Sequence, residues 1–332
     1  MKVSLDELER TTKRAILTFG YTDSEADVIL SVLMYAQLRG NNQGVVKLIG
    51  SGIPKGSNVH PPVIEKETEL SALIDGGNTH AMVVVNYAVD VAIAKARESG
   101  VGLVGVNHLN TSSGAIGYYA RRVANEGMIG IVFAGASPLV AAAGSYQPVF
   151  GTNPLAFAMP SLNEPVVLDM ATAAMAFFGV IEAKTAGRLL PANVAYDANG
   201  SPTVDPAEAI KGALRTFDGG AKSSGLSMMV QALTGPLVGA SFVGLGEVSA
   251  NWGGHLVIAI DPDLFRGADA LRQGVSAMAE TVKNTKRLPG VNEIMLPGER
   301  GDRQTTTTRE RGVIEIEANL YQELTVVAQR GP

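Results

Sequence analysis

Cysteine is absent from this 332-residue chain, which excludes disulfides, thiolate nucleophiles and every zinc or iron–sulfur site built on cysteine. Basic charge is not in surplus: 27 Lys and Arg stand against 32 Asp and Glu, a net charge of −5. No clustered basic run is available to displace counterions from a phosphate backbone, so no nucleic-acid partner is expected. Long apolar runs are missing too. A membrane span takes about 18–20 consecutive apolar residues, and none occurs; the opening MKVSLDELER is charged and helix-forming, without an apolar signal core. The expectation is a cytoplasmic protein with no membrane partner. With only four histidines, few side chains change charge near neutral pH.

What is present suits a large core. The chain is 46% hydrophobic and only 18% charged, enough for two domains. Ser4 with Glu7 and Thr22 with Glu25 have the spacing of capping boxes, so two helices are predicted at the start, the second ending at Gly40. The loop Arg39–Ser51 then carries Asn41, Asn42, Gln43 and Lys47. Those amides either satisfy the frayed carbonyls of a helix end or face a ligand. After a proline-bearing linker, Pro54–Pro62, strand and helix patterns alternate. Helices are predicted over Met82–Arg97 and Gly114–Asn125, and strands over Val101–Val106 and Met128–Ala134, which indicates an α/β class. Further on, a helix over Ser223–Val238, a strand over Leu256–Asp261 and a last helix over Ile316–Gln329 are predicted.

Two apparent nucleotide motifs do not hold. Gly100, Gly102 and Gly105 spell G-x-G-x-x-G, but they follow a helix and lie within a strand, the reverse of the order a dinucleotide fingerprint needs. GGAKSSG at Gly219–Gly225 has Ala221 where a phosphate loop needs glycine. More promising is Phe150–Pro160 followed by Leu168–Ala174. A tight turn at Gly151–Pro154 offers backbone N–H groups and the Thr152 hydroxyl, and small residues beside Asp169 leave room for a flat ligand. The plainer alternative is a hairpin with a small-residue seam. Lys222 at a predicted helix start suits an anion such as a phosphate.

Six ordered blocks carry a family resemblance: GTNPLAFAMP, LDMATAA, LPANVAYDANGSPTVDP, GGAKSSGLSMMV, GHLVIAIDP and LPGER. Together they resemble the malate/L-lactate dehydrogenase family, which includes ureidoglycolate, sulfolactate and 2,3-diketogulonate oxidoreductases and cyclic-imine reductases. The resemblance spans essentially the whole chain. It implies a non-Rossmann α/β fold that binds NAD or NADP, a helical domain formed by both chain ends (1–74 plus 301–332), a nucleotide-binding domain (75–300), and a homodimer. It places the cofactor against Asp169, Met170, Ala171 and Thr172, with Thr152 and Asn153 in the preceding turn, and against Lys222, Gly298, Glu299 and Arg300.

Departures from the family pattern shape the expected chemistry. The family's loop Arg-Gly-x-x-Ser-His-Gly-Val supplies a proton donor in several members; this chain has Asn42-Gln43-Gly44-Val45, one residue shorter. A second family histidine falls at Ser112, and an aromatic position at Ser51. His60, His80 and His255 read as structural or surface residues. His108, four positions before Ser112, is the remaining histidine candidate for the site. The substrate implied is a small carboxylate: a 2-oxo, 2-hydroxy or, favoured, a cyclic 2-imino acid. An iminium carbon accepts hydride without prior protonation, so Asn42 and Gln43 would orient it while Lys47 binds its carboxylate. The alternative is a dehydrogenase scaffold turned to non-redox chemistry or small-molecule binding.

Overall fold

Ser4 and Thr22 each start a helix by accepting the backbone N–H three residues on. The computed structural model describes residues 1–242, 244 and 253–330. A short strand β1 (Lys2–Ser4) leads into helices α1 (Leu5–Leu17) and α2 (Asp23–Leu38). Only Thr22 has the complete reciprocal box with Glu25. The Glu7 carboxylate instead accepts from the Tyr321 hydroxyl, at 2.9 Å, and so ties α1 to the last helix. Gly40 follows the second helix with φ +66°, in the left-handed conformation that glycine adopts readily. A single 3₁₀ turn, Val45–Leu48, comes next.

The alternating pattern gives β2 (Val63–Glu67), β3 (Ser71–Asp75), α3 (Ala81–Ser99), β4 (Val101–Asn107), α4 (Gly117–Asn125) and β5 (Ile129–Ala134). Short strands β6 (Val140–Ala141) and β7 (Pro148–Phe150) precede β8 (Leu155–Met159) and β9 (Val166–Met170). Then follow α5 (Phe177–Thr185), β10 (Ala195–Tyr196), β11 (Pro202–Thr203), α6 (Pro206–Lys211), β12 (Ala213–Leu214) and α7 (Ala221–Thr234). The chain continues through β13 (His255–Ile260), α8 (Ala268–Lys283), α9 (Glu299–Arg311), β14 (Val313–Glu315) and α10 (Ala318–Ala328).

The main sheet has the order β2-β3-β4-β13-β5-β8-β9, and only the β3–β4 pair is parallel. Gly102 explains the misleading glycine pattern. A Cβ there would run into the Ala92 carbonyl oxygen of α3, so this glycine lets helix and strand approach closely and binds no phosphate. Chain ends meet where β1 pairs with β14. One hydrophobic core runs from Leu8, Ile16, Ile29 and Leu33 of the first helices to Val104, Val132 and Val257 of the sheet, all fully buried.

That continuity crosses the expected boundary at 74/75. β2 precedes it and β3 (Ser71–Asp75) runs across it, and both belong to the main sheet, because their apolar residues complete the same core. A lobe not anticipated from sequence packs beside it. Its sheet, β11-β10-β12-β6-β7, covers a separate small core of Val140, Val180, Leu190 and Leu214. Two-residue strands leave little periodicity, so most of this lobe reads as turns. Two helices also lie where no element is predicted. α8 is one; α9 is the other, and none of its residues is buried, so it shows no apolar stripe.

Candidate active site

A cavity of about 540 Å³ opens where three segments converge. They are the Arg39–Ser51 loop, the loop after β4 and the end of β9. Asn42 and Gln43 form one wall, Ser112 and Ser113 a second, and Asp169, Met170 and Ala171 a third. Phe177 and Phe178, at the start of α5, add an aromatic surface. Residues predicted from three distant parts of the chain thus line one space.

The amide wall is not occupied with helix ends. Backbone N–H groups meet the last carbonyls of α2, Asn41 N donating to Ala36 O at 3.0 Å and Gly40 N to Gln37 O at 3.1 Å, while Gln37 Oε1 accepts the Val45 N–H at 3.0 Å at the start of the next turn. Asn41 Oδ1 accepts the Gln43 N–H at 2.9 Å, and Gln43 Nε2 donates to Asn42 Oδ1 at 3.2 Å. Among the described residues, the Asn42 amide nitrogen and the Gln43 amide oxygen have no protein partner. They remain available to a ligand in the cavity.

The loop after β4 is strained. His108 and Thr111 both have positive φ, +46° and +66°; for a β-branched residue such as Thr111 this conformation is costly and is found where the surroundings enforce it. The turn corrects the expectation for His108. Its ring swings away from the cavity to Asp75, with Nδ1 3.1 Å from Oδ2, and the side chain is 55% exposed. Lys47 is also displaced from its expected role. It does not line the cavity; it stands behind Ser112, with Nζ 3.0 Å from the Ser112 hydroxyl and 3.8 Å from the Phe178 ring centre. Burial pushes the ammonium down to about 7.

Asp169 is the charged group on the third wall. It is open to the cavity but enclosed on its other sides by protein, and that desolvation pushes the carboxyl up to about 6 despite the Gly117 N–H and nearby Arg39. Gly117 N donates to Oδ2 at 2.8 Å, so Asp169 caps the first turn of α4 from the end of β9. Thr152 also lines the cavity. Asn153 and Thr172 do not: both are fully buried. Asn153 Nδ2 donates to the Ser227 carbonyl at 3.0 Å, and Thr172 Oγ1 lies 3.1 Å from Ser227 Oγ. These two side chains fasten the β8–β9 hairpin to α7. The hairpin reading and the ligand reading therefore both describe it, at different residues.

His255 is the site residue that sequence reading assigned to structure alone. It lines the cavity, and its Nε2 lies 2.7 Å from the Ser113 hydroxyl. Burial pushes the imidazole down to about 3, so it is neutral near neutral pH. The signal that finds it is register. His255 at the start of β13 sits opposite both Val106 and Ala134, next to the loops that form the cavity.

The expected phosphate-side residues divide. A second cavity, about 670 Å³, lies at the other end of β9, lined by Glu164, Val166, Lys283, Leu296, Glu299 and Asp302. Gly298, with φ +80°, brings the Leu296–Glu299 turn against β9, where a Cβ would stand 2.8 Å from the Val167 carbonyl oxygen. Glu299 is held by Lys283 and Arg303. Arg300 is exposed and lines neither cavity. Lys222 is exposed at the start of α7 and lines neither as well. That helix end already has an anion: Asp218 accepts from Gly220 N at 2.7 Å and from the Ser223 hydroxyl.

Comparison with known proteins fits this architecture. The family model described as malate/L-lactate dehydrogenase matches residues 3–325. An L-sulfolactate dehydrogenase from Methanothermobacter thermautotrophicus is 35% identical over 99% of this chain and 97% of that protein. A ureidoglycolate dehydrogenase (NAD(+)) from Escherichia coli is 31% identical over 98% of this chain and 95% of that protein. Among solved structures, a delta1-piperideine-2-carboxylate reductase from Pseudomonas syringae superimposes with a TM-score of 0.85 at 29% identity, covering 98% of this chain and 99% of that one. The chain belongs to the malate/L-lactate dehydrogenase family.

Proposed function

We propose, from that membership and from the cavity, an oxidoreductase that moves a hydride between NAD or NADP and the 2-carbon of a small carboxylic acid. The observation that carries the reading is the meeting of Asp169, Met170 and Ala171 with Asn42, Gln43 and Ser112 around one 540 Å³ space. The first three occupy positions that the family resemblance gives to the cofactor, and the others lie where it places the acid–base residues. The cofactor supplies the hydride donor or acceptor. Asp169, Met170 and Ala171 would hold its nicotinamide end. β9 runs from there to the second cavity, where the Leu296–Glu299 turn would meet the distal end. Among the described residues no helix is long and apolar enough to cross a membrane.

A cyclic 2-imino acid suits an amide wall without further help, because the iminium arrives with its proton. A 2-oxo acid needs a proton delivered to its oxygen. Homodimer formation belongs to the same reading: Met228 and Met229 of α7 and Leu237 are 57%, 53% and 61% exposed, an apolar face suited to a second subunit. Light scattering checks this, and a monomer well above working concentration counts against it. The functional reading itself is tested by fluorescence titration with NADH and NADPH, with micromolar-scale binding expected. No binding of either at millimolar concentration would sink it in favour of the non-redox alternative.

A further inference from the structure

Lys47 is a buried charge without a counter-ion. It is 5% exposed, and among the described residues no carboxylate lies within ion-pairing distance of its ammonium. Its side-chain hydrogen bond goes to Ser112 Oγ, 3.0 Å away, and the Phe178 ring covers another side. The groups able to compete for its proton are few. His80, at the start of α3, is held neutral by burial and by Lys47 itself. Glu25 of α2 is engaged by Lys55 at 2.8 Å. α1 and α10, which also pack against the Val45–Leu48 turn, bring no charged side chain within ion-pairing distance of Lys47. Retaining such a lysine is destabilising, and an unpaired buried charge beside a cavity is a candidate for chemical work.

Ser112 defines what that work is. A hydroxyl has one proton to donate and two lone pairs to accept with. Ser112 Oγ accepts from Lys47 Nζ at 3.0 Å and from the Gly114 N–H at 3.3 Å. Both lone pairs are engaged, so the hydroxyl proton is free to point elsewhere, and the side chain is exposed to the cavity. We propose that Ser112 donates a proton to the substrate oxygen and that Lys47 resupplies it, a relay that lets the site reduce 2-oxo acids as well as imino acids.

The inference rests on the oxidoreductase reading above. In reduction, hydride from the reduced nicotinamide nucleotide brings an electron pair to C2 and the carbonyl π bond breaks. The carbonyl oxygen takes the Ser112 proton as the Ser112 oxygen takes one from the Lys47 ammonium. Lys47 is left as a neutral amine, which water reprotonates, and one proton is consumed per turnover. Oxidation of a 2-hydroxy acid runs the same transfers backwards. Ser112 touches substrate; Lys47 is a positioning residue that acts through it. Because burial brings Lys47 down to about 7, ammonium and amine are both populated near neutrality, as a proton carrier requires. The relay uses the Ser112 position, where the family pattern has a histidine.

Two readouts test this. In protein labelled with ¹⁵N-lysine, the Lys47 Nζ signal, assigned by its loss in Lys47→Met, is expected to titrate near 7 and to shift in Ser112→Ala. Titration at the ordinary lysine value of 10.5 overturns the relay whether or not any substrate is known. So does a midpoint that Ser112→Ala leaves unmoved. The second readout is the pH profile of kcat/KM for reduction of oxaloacetate and pyruvate. Wild type is expected to fall tenfold per pH unit above the Lys47 midpoint. Lys47→Met and Ser112→Ala should each lower the rate by about 10²–10⁴-fold, remove that inflection and leave nucleotide affinity intact. The double variant should be no slower than the slower single one. An unchanged inflection in Lys47→Met, a full rate in Ser112→Ala, or nucleotide binding with no 2-oxo acid turnover at any pH would each overturn it. Failure to bind nucleotide counts against the oxidoreductase reading instead, and the lysine titration still decides the relay's proton affinity.

Discussion

The two ends of β9 open on two cavities that handle charge in opposite ways. At the Val166 end, acids and bases are matched: Glu299 lies between Lys283 and Arg303, and Asp302 between Arg39 and Arg121. At the Asp169 end they are not. Lys47 has a hydroxyl and an aromatic ring for company, and Asp169 has a backbone N–H. Paired charges hold a shape. Unpaired, enclosed charges move toward neutral pH, where they can exchange protons at little cost. One strand thus links a cavity walled by matched charges with a cavity beside which the charges are unmatched.

Removing one charge from each end should move stability in opposite directions. Asp302→Ala takes from Arg39 its carboxylate and from Arg121 one of two, the other being Glu164; with side chains 13% and 15% exposed, the change is expected to destabilise by about 3 kcal/mol in urea unfolding. Lys47→Met deletes a buried cation that no carboxylate among the described residues balances, so it is expected to stabilise, by about 2 kcal/mol at neutral pH. The sign with pH follows from linkage. The folded value for Lys47, about 7, lies below the ordinary 10.5, so the folded state releases its proton first and wild-type stability rises with pH between those values. The gap between Lys47→Met and wild type is therefore widest below pH 7 and closes toward 10.5. A Lys47→Met variant less stable than wild type at neutral pH would break the comparison.

Asp169 gives the mirror image, with a smaller effect because it is open to water in the cavity. Its folded value, about 6, lies above the ordinary 3.8, so the folded state binds the proton more tightly and wild type loses stability as pH rises from 3.8 to 6. Asp169→Asn keeps an oxygen for the Gly117 N–H and removes the titration. Its thermal midpoint relative to wild type is expected to climb across that window and then level off. A flat difference would mean that the carboxyl titrates as an ordinary exposed one.

Much of this arrangement is legible in the sequence, and the gaps have physical causes. β4, β5 and β13 stand out because buried strands need continuous apolar runs, and α2 because Thr22 and Glu25 can only be a cap at that spacing. The convergence of Asn42, Ser112 and Asp169 follows from the ordered family blocks. Side-chain direction does not. His108 stands near Ser112 in the chain, but a left-handed backbone sends it to Asp75. Thr172 and Asn153 look like ligand contacts because hydroxyls and amides serve equally well as internal fasteners. Lys47 reads as a carboxylate binder until its burial is known. α9 hides because its turns are held by the αL glycines Gly298 and Gly312 at its ends and by the Glu299–Arg303 pair, not by an apolar face.

The smallest expected effect separates two glutamines six residues apart. Gln37 and Gln43 border the same loop, yet one holds the backbone and the other faces the cavity. Gln37 Oε1 is the acceptor for the Val45 N–H at the start of the turn that carries Lys47. Gln37→Ala leaves that donor unpaired and should destabilise by about 1 kcal/mol. Among the described residues, Gln43 Nε2 bonds only the neighbouring Asn42 amide, at 3.2 Å. Gln43→Ala should therefore cost less than about 0.5 kcal/mol, the range of a partly exposed position away from the core. Its effect belongs to turnover: if the amide orients substrate, kcat/KM falls while the nucleotide titration is unchanged. Gln37→Ala should affect substrate only through the turn, moving the Lys47 titration as well as the rate. If Gln43→Ala lowered stability by as much as Gln37→Ala and left turnover untouched, the amide wall would be part of the scaffold, and the reactive end of β9 would have to orient its ligand with Ser112, Asp169 and the aromatic surface of Phe177 and Phe178.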